Sequence, residues 1–219
     1  MVMPVTVRGQ ETRARLLASA EKVFGEKSYF QVSIADITRE AGTGNGTFYL
    51  YFPSKEAAFR ELVQQRGHEL RTVTHLAAEG ARDRVEAESA GYRAFFRFIE
   101  EHRNLYRVVR QAEFVDPEVF REYYRILADG YCAALAGAMD RGEIDRMDPE
   151  VMAYCLMGMG DFLGMRWVLW NEDGMSEDVF ANAMRFIQFG LAGPDGRLDE
   201  QTEQSTRNES PAGEPSRQL

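Results

Sequence analysis

The side chains best suited to specific chemistry lie in one short stretch of the N-terminal region. Asn45 carries an amide, Thr47 and Tyr49 carry hydroxyl groups, and Lys55 carries an ammonium group. An amide can form two hydrogen bonds with the edge of an adenine, while hydroxyl and ammonium groups bind phosphate oxygens. Leu50 adds an apolar surface that suits the methyl group of thymine. Together these residue types offer the chemistry needed to recognise double-stranded DNA.

Two short helices joined by a glycine turn are predicted to position these side chains. Ser33 followed by Asp36 resembles a capping box, with Asp where Glu or Gln is usual. Gly42 can adopt the positive φ that ends the first helix, and Thr43 is the expected N-cap of the second. Pro53 ends the second helix. The pattern is typical of a helix-turn-helix, whose second helix enters the major groove.

The same stretch carries a longer motif, Ala41-Gly42-x-x-x-Gly46-Thr47-Phe48-Tyr49-x-Tyr51-Phe52-Pro53-Ser54-Lys55-Glu56. This motif resembles the signature of the TetR family of bacterial transcriptional regulators, and the resemblance extends over roughly residues 10–60. It implies a helix-turn-helix head followed by a helical body that binds a ligand and dimerises.

The resemblance also implies which residues contact DNA. The expected set joins the family's contact positions to the cap and the glycines around them: Ser33, Thr43, Gly44, Asn45, Gly46, Thr47, Tyr49, Leu50 and Lys55. At three of these positions the chain departs from the family pattern. Gly44 replaces a small capping serine, Asn45 replaces a lysine or arginine, and Leu50 replaces a frequent histidine. The recognition helix therefore carries fewer cations than is common in the family.

Charge is distributed unevenly along the 219 residues, whose net charge is −9. Residues 1–66 carry nine Lys/Arg against seven Asp/Glu, whereas residues 67–219 carry seventeen against twenty-eight. DNA affinity depends on local cations that meet phosphates, so a mildly basic head is compatible with DNA binding. The acidic remainder disfavours non-specific binding along DNA.

Helical periodicity continues along the chain and predicts an all-α protein of about nine helices, without strands. Outside the helix-turn-helix the expected helices are 10–24 (ended by Gly25), 55–78, 87–102, 104–114, 117–141, 149–170 and one capped by Ser176. We expect three parts: a DNA-binding head at 1–54, a ligand-binding and dimerisation body at 55–192, and a disordered tail at 193–219, which lacks apolar content. Residues 1–8 are expected to be an arm, from which Arg8, and also Arg13 just inside the first helix, could reach DNA.

Several other functions find no support in the sequence. Cys132 and Cys155 have neither metal nor redox spacing, and we expect buried free thiols, as in a cytoplasmic protein. The three histidines lack partners at metal-ligand spacing. The N-terminus lacks the apolar run of a signal peptide, and no stretch is long and apolar enough to span a membrane. We find no nucleophile–base pair or phosphate-binding loop, so neither an enzyme nor a cofactor is expected.

The body is rich in aromatic residues, which either line a ligand cavity or fill a packed core. The candidate pocket residues are Phe95, Phe98, Tyr106, Arg110, Phe114, Tyr123, Tyr124, Tyr131, Met157, Asp161, Phe162, Arg166 and Trp167. Asp161 and Arg166 should be buried, and we expect each to pair with the other, with Arg107 or Arg110, or with a ligand. An elongated or aromatic hydrophobic molecule would suit such a pocket, and an acyl-thioester is one candidate.

The last two helices are the expected homodimer face. The first of them contains Gly158, Gly160 and Gly164, which would allow a second helix or a ligand to approach closely, or would serve tight packing within the chain. A two-fold dimer suits two reading heads on a palindromic operator. The sequence thus predicts a ligand-responsive regulator, with a repressor expected. The alternative is a ligand-binding helical dimer that does not bind specific DNA.

Overall fold

The computed structural model describes residues 6–171 and 174–191, and every regular element in these ranges is helical. The nine α-helices are α1 (Val7–Lys27), α2 (Ile34–Glu40), α3 (Asn45–Tyr51), α4 (Lys55–Ala78), α5 (Arg84–Glu101), α6 (Arg103–Val115), α7 (Pro117–Asp140), α8 (Pro149–Gly164) and α9 (Glu177–Leu191). The all-α expectation is confirmed. The tail that was expected to be disordered, 193–219, lies outside the described residues.

Helices α1–α3 form the head, and the start of α4 packs beneath them. Phe24, Phe48, Phe52 and Phe59 are among its fully buried side chains. The Phe24 and Phe59 rings meet edge to face with centroids 5.5 Å apart. Three short helices bury little surface alone, so the head depends on this contact with α4.

The first helix is longer than its sequence predicts at both ends. Thr6 caps α1, its side-chain oxygen accepting the Gly9 N–H at 3.2 Å, so the expected arm becomes helical from Val7. Gly25 lies inside the helix instead of ending it. A Cβ at Gly25 would lie 2.5 Å from Cβ of Asn104, so this glycine permits close packing of α1 on α6.

The body is built from α5–α9 around the long α4. Helix α4 packs on α5 and α7, and α7 packs on α8. The predicted bounds of α4 agree with the structure, and α7 ends at Asp140, one residue before its predicted end. Helix α5 begins at Arg84, three residues before its predicted start, because Asp83 caps it by accepting the Glu86 N–H at 2.9 Å.

The predicted helix at 149–170 changes type near its end. The α-helical part stops at Gly164, and Met165–Leu169 continue as a π-helix. A Cβ at Gly164 would lie 2.6 Å from Cδ1 of Ile99, so α8 and α5 touch closely just before this change.

Candidate DNA-binding face and ligand cavity

A capping box fixes the start of α2. The Asp36 N–H donates to Ser33 Oγ at 3.2 Å, and the Ser33 N–H donates to Asp36 Oδ2 at 2.9 Å. Hydrogen bonds from Ser33 hold the pKa of the Asp36 carboxyl well below its usual range, and the charges of Lys27 and Arg39 lower it further. Ser33 is exposed, but its hydroxyl is engaged in this cap.

The turn between α2 and α3 differs from its prediction in one residue. Gly42 has the expected positive φ of 64°. Thr43 is not the N-cap of α3: its N–H bonds back to the Thr38 carbonyl at 2.8 Å, so the helix starts one residue later. Gly44 occupies the cap position and brings no side-chain hydrogen bond. Thr43 Oγ1 is buried without a protein partner in the described part of the chain.

Helix α3 presents one apolar face inwards and one mixed face to solvent. Phe48 is fully buried and anchors the helix, whereas Tyr49 is 57% and Leu50 76% exposed. Asn45 is also exposed, and its Oδ1 accepts the Thr38 hydroxyl at 2.7 Å. This bond fixes the amide at the start of α3, while its Nδ2 has no protein partner among the described residues.

Gly46 lies beside Asn45, and a Cβ there would meet no atom within 4 Å, so nothing within the chain blocks the approach of another molecule. Thr47 is half-buried beside this open face.

The Lys55 ammonium group already makes several contacts within the protein. Its Nζ donates to the carbonyls of Tyr29 and Val32 at 2.9 and 2.8 Å and lies 4.2 Å from the centroid of the Tyr29 ring. An ammonium group has three N–H donors, so one remains for a phosphate oxygen. Sequence reasoning missed the first role of Lys55, which is to hold the connection between α1 and α2 against α4.

One further expectation about the head needs correction. Arg13 forms an ion pair with Glu61 of α4, which occupies the side chain that was expected to reach DNA. Tyr29 is buried and fills the space against Phe24 and Phe59, whereas the adjacent Phe30 is exposed.

One side chain of α6 joins the body to the head. The Tyr29 N–H donates to Gln111 Oε1 at 2.6 Å, and Gln111 Nε2 donates to the Phe24 carbonyl at 3.0 Å. A second link runs from α4 to α1, where Arg66 Nε donates to the largely buried Glu21 at 2.8 Å. Neither link has a local sequence signal, because the partners are at least 45 residues apart.

A cavity of about 810 Å³ lies in the body between α4, α5, α6, α7 and α8. Its wall is mainly apolar and aromatic, and its volume falls within the range of roughly 300–1,000 Å³ that is usual for small-molecule sites. Eight of the candidate pocket residues line it: Phe95, Tyr106, Arg110, Tyr123, Tyr124, Tyr131, Met157 and Asp161.

The other five candidates do not line this cavity. Phe98 is buried in the packed core, and its ring lies 4.6 Å from the imidazole of His102. Phe114, Phe162 and Arg166 are exposed, because the helices turn these faces outwards. Trp167 is half-buried in the π-helix with the Arg166 guanidinium 5.4 Å from its ring.

Each end of the cavity carries a cluster of one carboxylate, one tyrosine and one arginine. At one end Asp161 accepts hydrogen bonds from the Tyr106 hydroxyl and from Arg110, the latter at 3.3 Å. This is one of the pairings that the sequence predicts for Asp161, but Arg166 takes no part in it. Burial, with the nearby Asp161 charge, raises the pKa of Tyr124 to about 12.

At the other end Glu88, which is 1% exposed, accepts from Arg84 Nε at 2.8 Å and from the Tyr131 hydroxyl. Burial, together with the Glu88 carboxylate, raises the pKa of Tyr131 well above its usual value, so its hydroxyl remains a donor. Tyr123 and Tyr131 are eight residues apart on α7, which separates the two ends by about 12 Å. Sequence reasoning missed Glu88 and Arg84 because isolated charges in an amphipathic helix usually face solvent.

Large apolar side chains are exposed along α8 and α9. They are Val151, Tyr154, Phe162, Phe186 and Phe189. Cys155 is exposed on α8 as well, and Cys132 is half-buried, so the expectation of two buried thiols is wrong, although both are free. An apolar surface of this kind in a monomer usually marks a protein interface.

Within the described ranges no cluster of three His, Cys, Asp or Glu side chains could hold a metal ion. No helix in the same ranges is long and apolar enough to cross a membrane.

An exposed helix-turn-helix, a long helix that connects it to a body, and a cavity inside that body define the class of ligand-binding helix-turn-helix regulators. The comparisons with known proteins agree with this class. The family model for bacterial regulatory proteins of the tetR family matches residues 16–62. The regulator EthR of Mycobacterium tuberculosis is 30% identical over 148 residues, which cover 64% of this chain and 68% of EthR. TtgR of Pseudomonas putida is 27% identical over 205 residues, which cover 87% of this chain and 95% of TtgR.

Solved structures share the fold at lower identity. The fatty acid degradation regulator FadR of Bacillus halodurans superposes with a TM-score of 0.73 at 20% identity, covering 84% of this chain and 97% of FadR. FadR of Bacillus subtilis, solved in complex with stearoyl-CoA, has a TM-score of 0.71 at 20% identity. This superposition covers 83% of this chain and 98% of FadR. This chain belongs to the TetR family of transcriptional regulators. Regulators of this family bind DNA operators and form dimers.

Proposed function

We propose that this regulator is a repressor that binds a palindromic operator as a homodimer and releases it when a hydrophobic small molecule enters the cavity. The observation that carries the proposal is that one chain combines an exposed face of polar and apolar side chains on α3 with an 810 Å³ cavity. The two sites are joined by α4, which starts at the head and lines the cavity further along.

The DNA-binding face consists of α3 and the residues around its start. Asn45 and Leu50 would contact base edges, because the amide suits adenine and the apolar chain suits the thymine methyl. Thr47, Tyr49 and Lys55 would contact phosphates, and Gly44 and Gly46 would let the backbone approach the duplex. Ser33 and Thr43 would act mainly by fixing the ends of α2 and its turn, although both lie next to the contact face.

The homodimer would form through α8 and α9. The rings of Phe162, Phe186 and Phe189 are exposed there. A symmetric contact between two copies would bury these rings and hold two heads at a fixed distance. A fixed distance between heads favours two half-sites one helical turn apart.

The effector would be a hydrophobic molecule, and its presence would disfavour DNA binding. Helix α6 would carry part of this coupling, because Arg110 lines the cavity while the adjacent Gln111 holds the head. Acyl-thioesters remain candidates, since stearoyl-CoA is bound in the Bacillus subtilis FadR structure of the same fold. Operator and effector must then weaken each other's binding by one coupling free energy.

Selection of DNA from a random duplex pool with the purified full-length chain tests the proposal. We expect a palindromic sequence whose affinity falls when Asn45 is replaced by alanine. Exchange of Gln65, an exposed amide residue on α4 that does not line the cavity, for alanine is the matched control and should leave affinity unchanged. Failure to recover any specific sequence, with or without hydrophobic compounds, would favour a ligand-binding dimer without specific DNA binding. Release of the selected operator then provides the screen for effectors.

A further inference from the structure

The charges that line the cavity are almost completely paired. Three carboxylates belong to the lining, those of Glu88, Asp129 and Asp161. Glu88 pairs with Arg84, Asp161 pairs with Arg110, and Asp129 accepts from Arg125 at 3.3 Å. Since each carboxylate already has a cation, none is left to attract a positively charged group of a ligand.

The arginines of the lining, unlike its carboxylates, are not all engaged in ion pairs. Arg84 and Arg110 are used in these pairs, but Arg71 forms no ion pair with any carboxylate of residues 6–171 or 174–191. Arg71 is exposed on α4, and it lines the cavity beside His68 and His75 on the same helix. The Arg71 guanidinium therefore places a cation without an ion-pair partner among residues 6–171 and 174–191 at the edge of the cavity.

The facing helix leaves room for the Arg71 guanidinium. A Cβ on Gly130 of α7 would lie 3.1 Å from Arg71 Nε and 3.4 Å from one of its terminal nitrogens. The guanidinium therefore lies directly over the backbone of Gly130. This contact positions the planar fork of N–H donors, which matches the two oxygens of a carboxylate or phosphate.

The wall next to this cation is apolar. Phe95, Leu127 and Leu156 belong to the same cavity. We propose that the effector is an amphiphile with one oxyanion at its end, a carboxylate or a phosphate, which Arg71 binds while the apolar body of the molecule fills the cavity. This inference rests on the proposed function, because it names the chemistry of the effector for that same cavity.

The test compares three ligands of equal chain length: dodecanoate, dodecyl phosphate and uncharged dodecanol. Calorimetric titration of the full chain without DNA, below the micelle concentrations, separates ligand binding from operator binding. We expect the wild type to bind at least one of the two anions about tenfold more tightly than the alcohol, the effect typical of a charge-assisted hydrogen bond. Whichever anion binds better identifies the source of the oxyanion.

The variant R71Q should lose this tenfold preference and keep its affinity for dodecanol. The matched control is R121Q, which changes an exposed arginine of α7 that does not line the cavity, and it should behave as the wild type. Equal binding of all three ligands by the wild type would overturn the inference, as would an R71Q variant that loses all three equally. If none of the three ligands binds, the proposed effector cavity fails as well, whereas selection of a palindromic operator would still support the DNA-binding part of the proposal.

Discussion

Gln111 accepts the backbone N–H of Tyr29 at 2.6 Å across 82 residues of sequence, and its amide nitrogen donates to the Phe24 carbonyl at 3.0 Å. Both backbone groups belong to the end of α1 and the connection that leads to α2. A single side chain of the body therefore satisfies a donor and an acceptor of the head, and its neighbour Arg110 touches the ligand cavity. The position of α6 and the position of the head are coupled through this side chain.

Replacement of Gln111 by alanine should destabilise the protein and weaken its response to effector. The Tyr29 N–H loses its partner, whereas the Phe24 carbonyl still accepts the Ser28 N–H at 3.2 Å. One unsatisfied, partly buried donor costs about 1–3 kcal/mol in unfolding free energy. Urea unfolding measures this cost, and the ratio of operator affinities with and without effector measures the coupling.

Gln65 offers a matched control for this variant, since its amide bonds only to Glu69 on the exposed surface of α4. Gln65→Ala should change stability by less than about 0.5 kcal/mol. A Gln111→Ala variant with an unchanged effector response would exclude this side chain from the coupling.

The helix-turn-helix could be predicted from sequence because local signals define it. The capping box at Ser33 and Asp36, the positive φ of Gly42 and the helix cap at Ser54 all act within four residues. The one error, Thr43 as a cap, arose because Thr38 competes for its backbone N–H. Here a backbone hydrogen bond across the turn outweighs the preference of threonine for cap positions.

The ligand cavity was less predictable, because helical periodicity does not distinguish a residue that faces a cavity from one that fills a core. Phe95 and Phe98 illustrate this limit: both lie on α5, but Phe95 lines the cavity and Phe98 packs near His102. Arg71 carried no signal either, since an arginine on an exposed helix face is ordinary. Its significance depends on the other charges of the lining, which only the fold brings together.

The Asp36 capping box should make the head sensitive to acid. The pKa of Asp36 is lowered in the folded state, so its ionised form stabilises the fold. This contribution is complete above the unfolded pKa of about 3.9 and is lost as pH falls through the lower folded value. Asp36→Asn should therefore reduce stability at neutral pH and flatten the dependence of stability on pH below about 4.

Thermal unfolding of the Asp36→Asn variant and the wild type across this pH range checks the prediction, with Asp178→Asn in the exposed first turn of α9 as a control. Parallel stability curves for Asp36→Asn and the wild type at acid pH would contradict it.

Introduction of a charge into the exposed face of α9 should prevent dimerisation. Phe186 is 70% exposed in the single chain. In a dimer through α8 and α9, the variant Phe186→Glu would bury an unpaired carboxylate, which is costly. We expect a monomer in sedimentation experiments and a large loss of operator affinity. Phe114, which is 75% exposed on α6, provides a matched control, and Phe114→Glu should remain dimeric. A Phe186→Glu dimer would place the interface elsewhere.

The bond between Thr38 and Asn45 gives the sharpest test of base recognition. Thr38 is 2% exposed and therefore cannot contact DNA itself, but its hydroxyl holds the Asn45 amide at the start of α3. Asn45→Ala should cost about 1–3 kcal/mol of operator affinity, the value of a bidentate contact with a base. Thr38→Val, which keeps the side-chain shape, should lose part of this affinity because the amide is no longer oriented. In the Asn45→Ala background, Thr38→Val should cause no further loss of operator affinity. For the wild type, replacing the recognised adenine in the operator should reduce affinity by as much as Asn45→Ala does. Additive losses in this double-mutant cycle would mean that Thr38 affects DNA binding through the stability of the turn and not through Asn45.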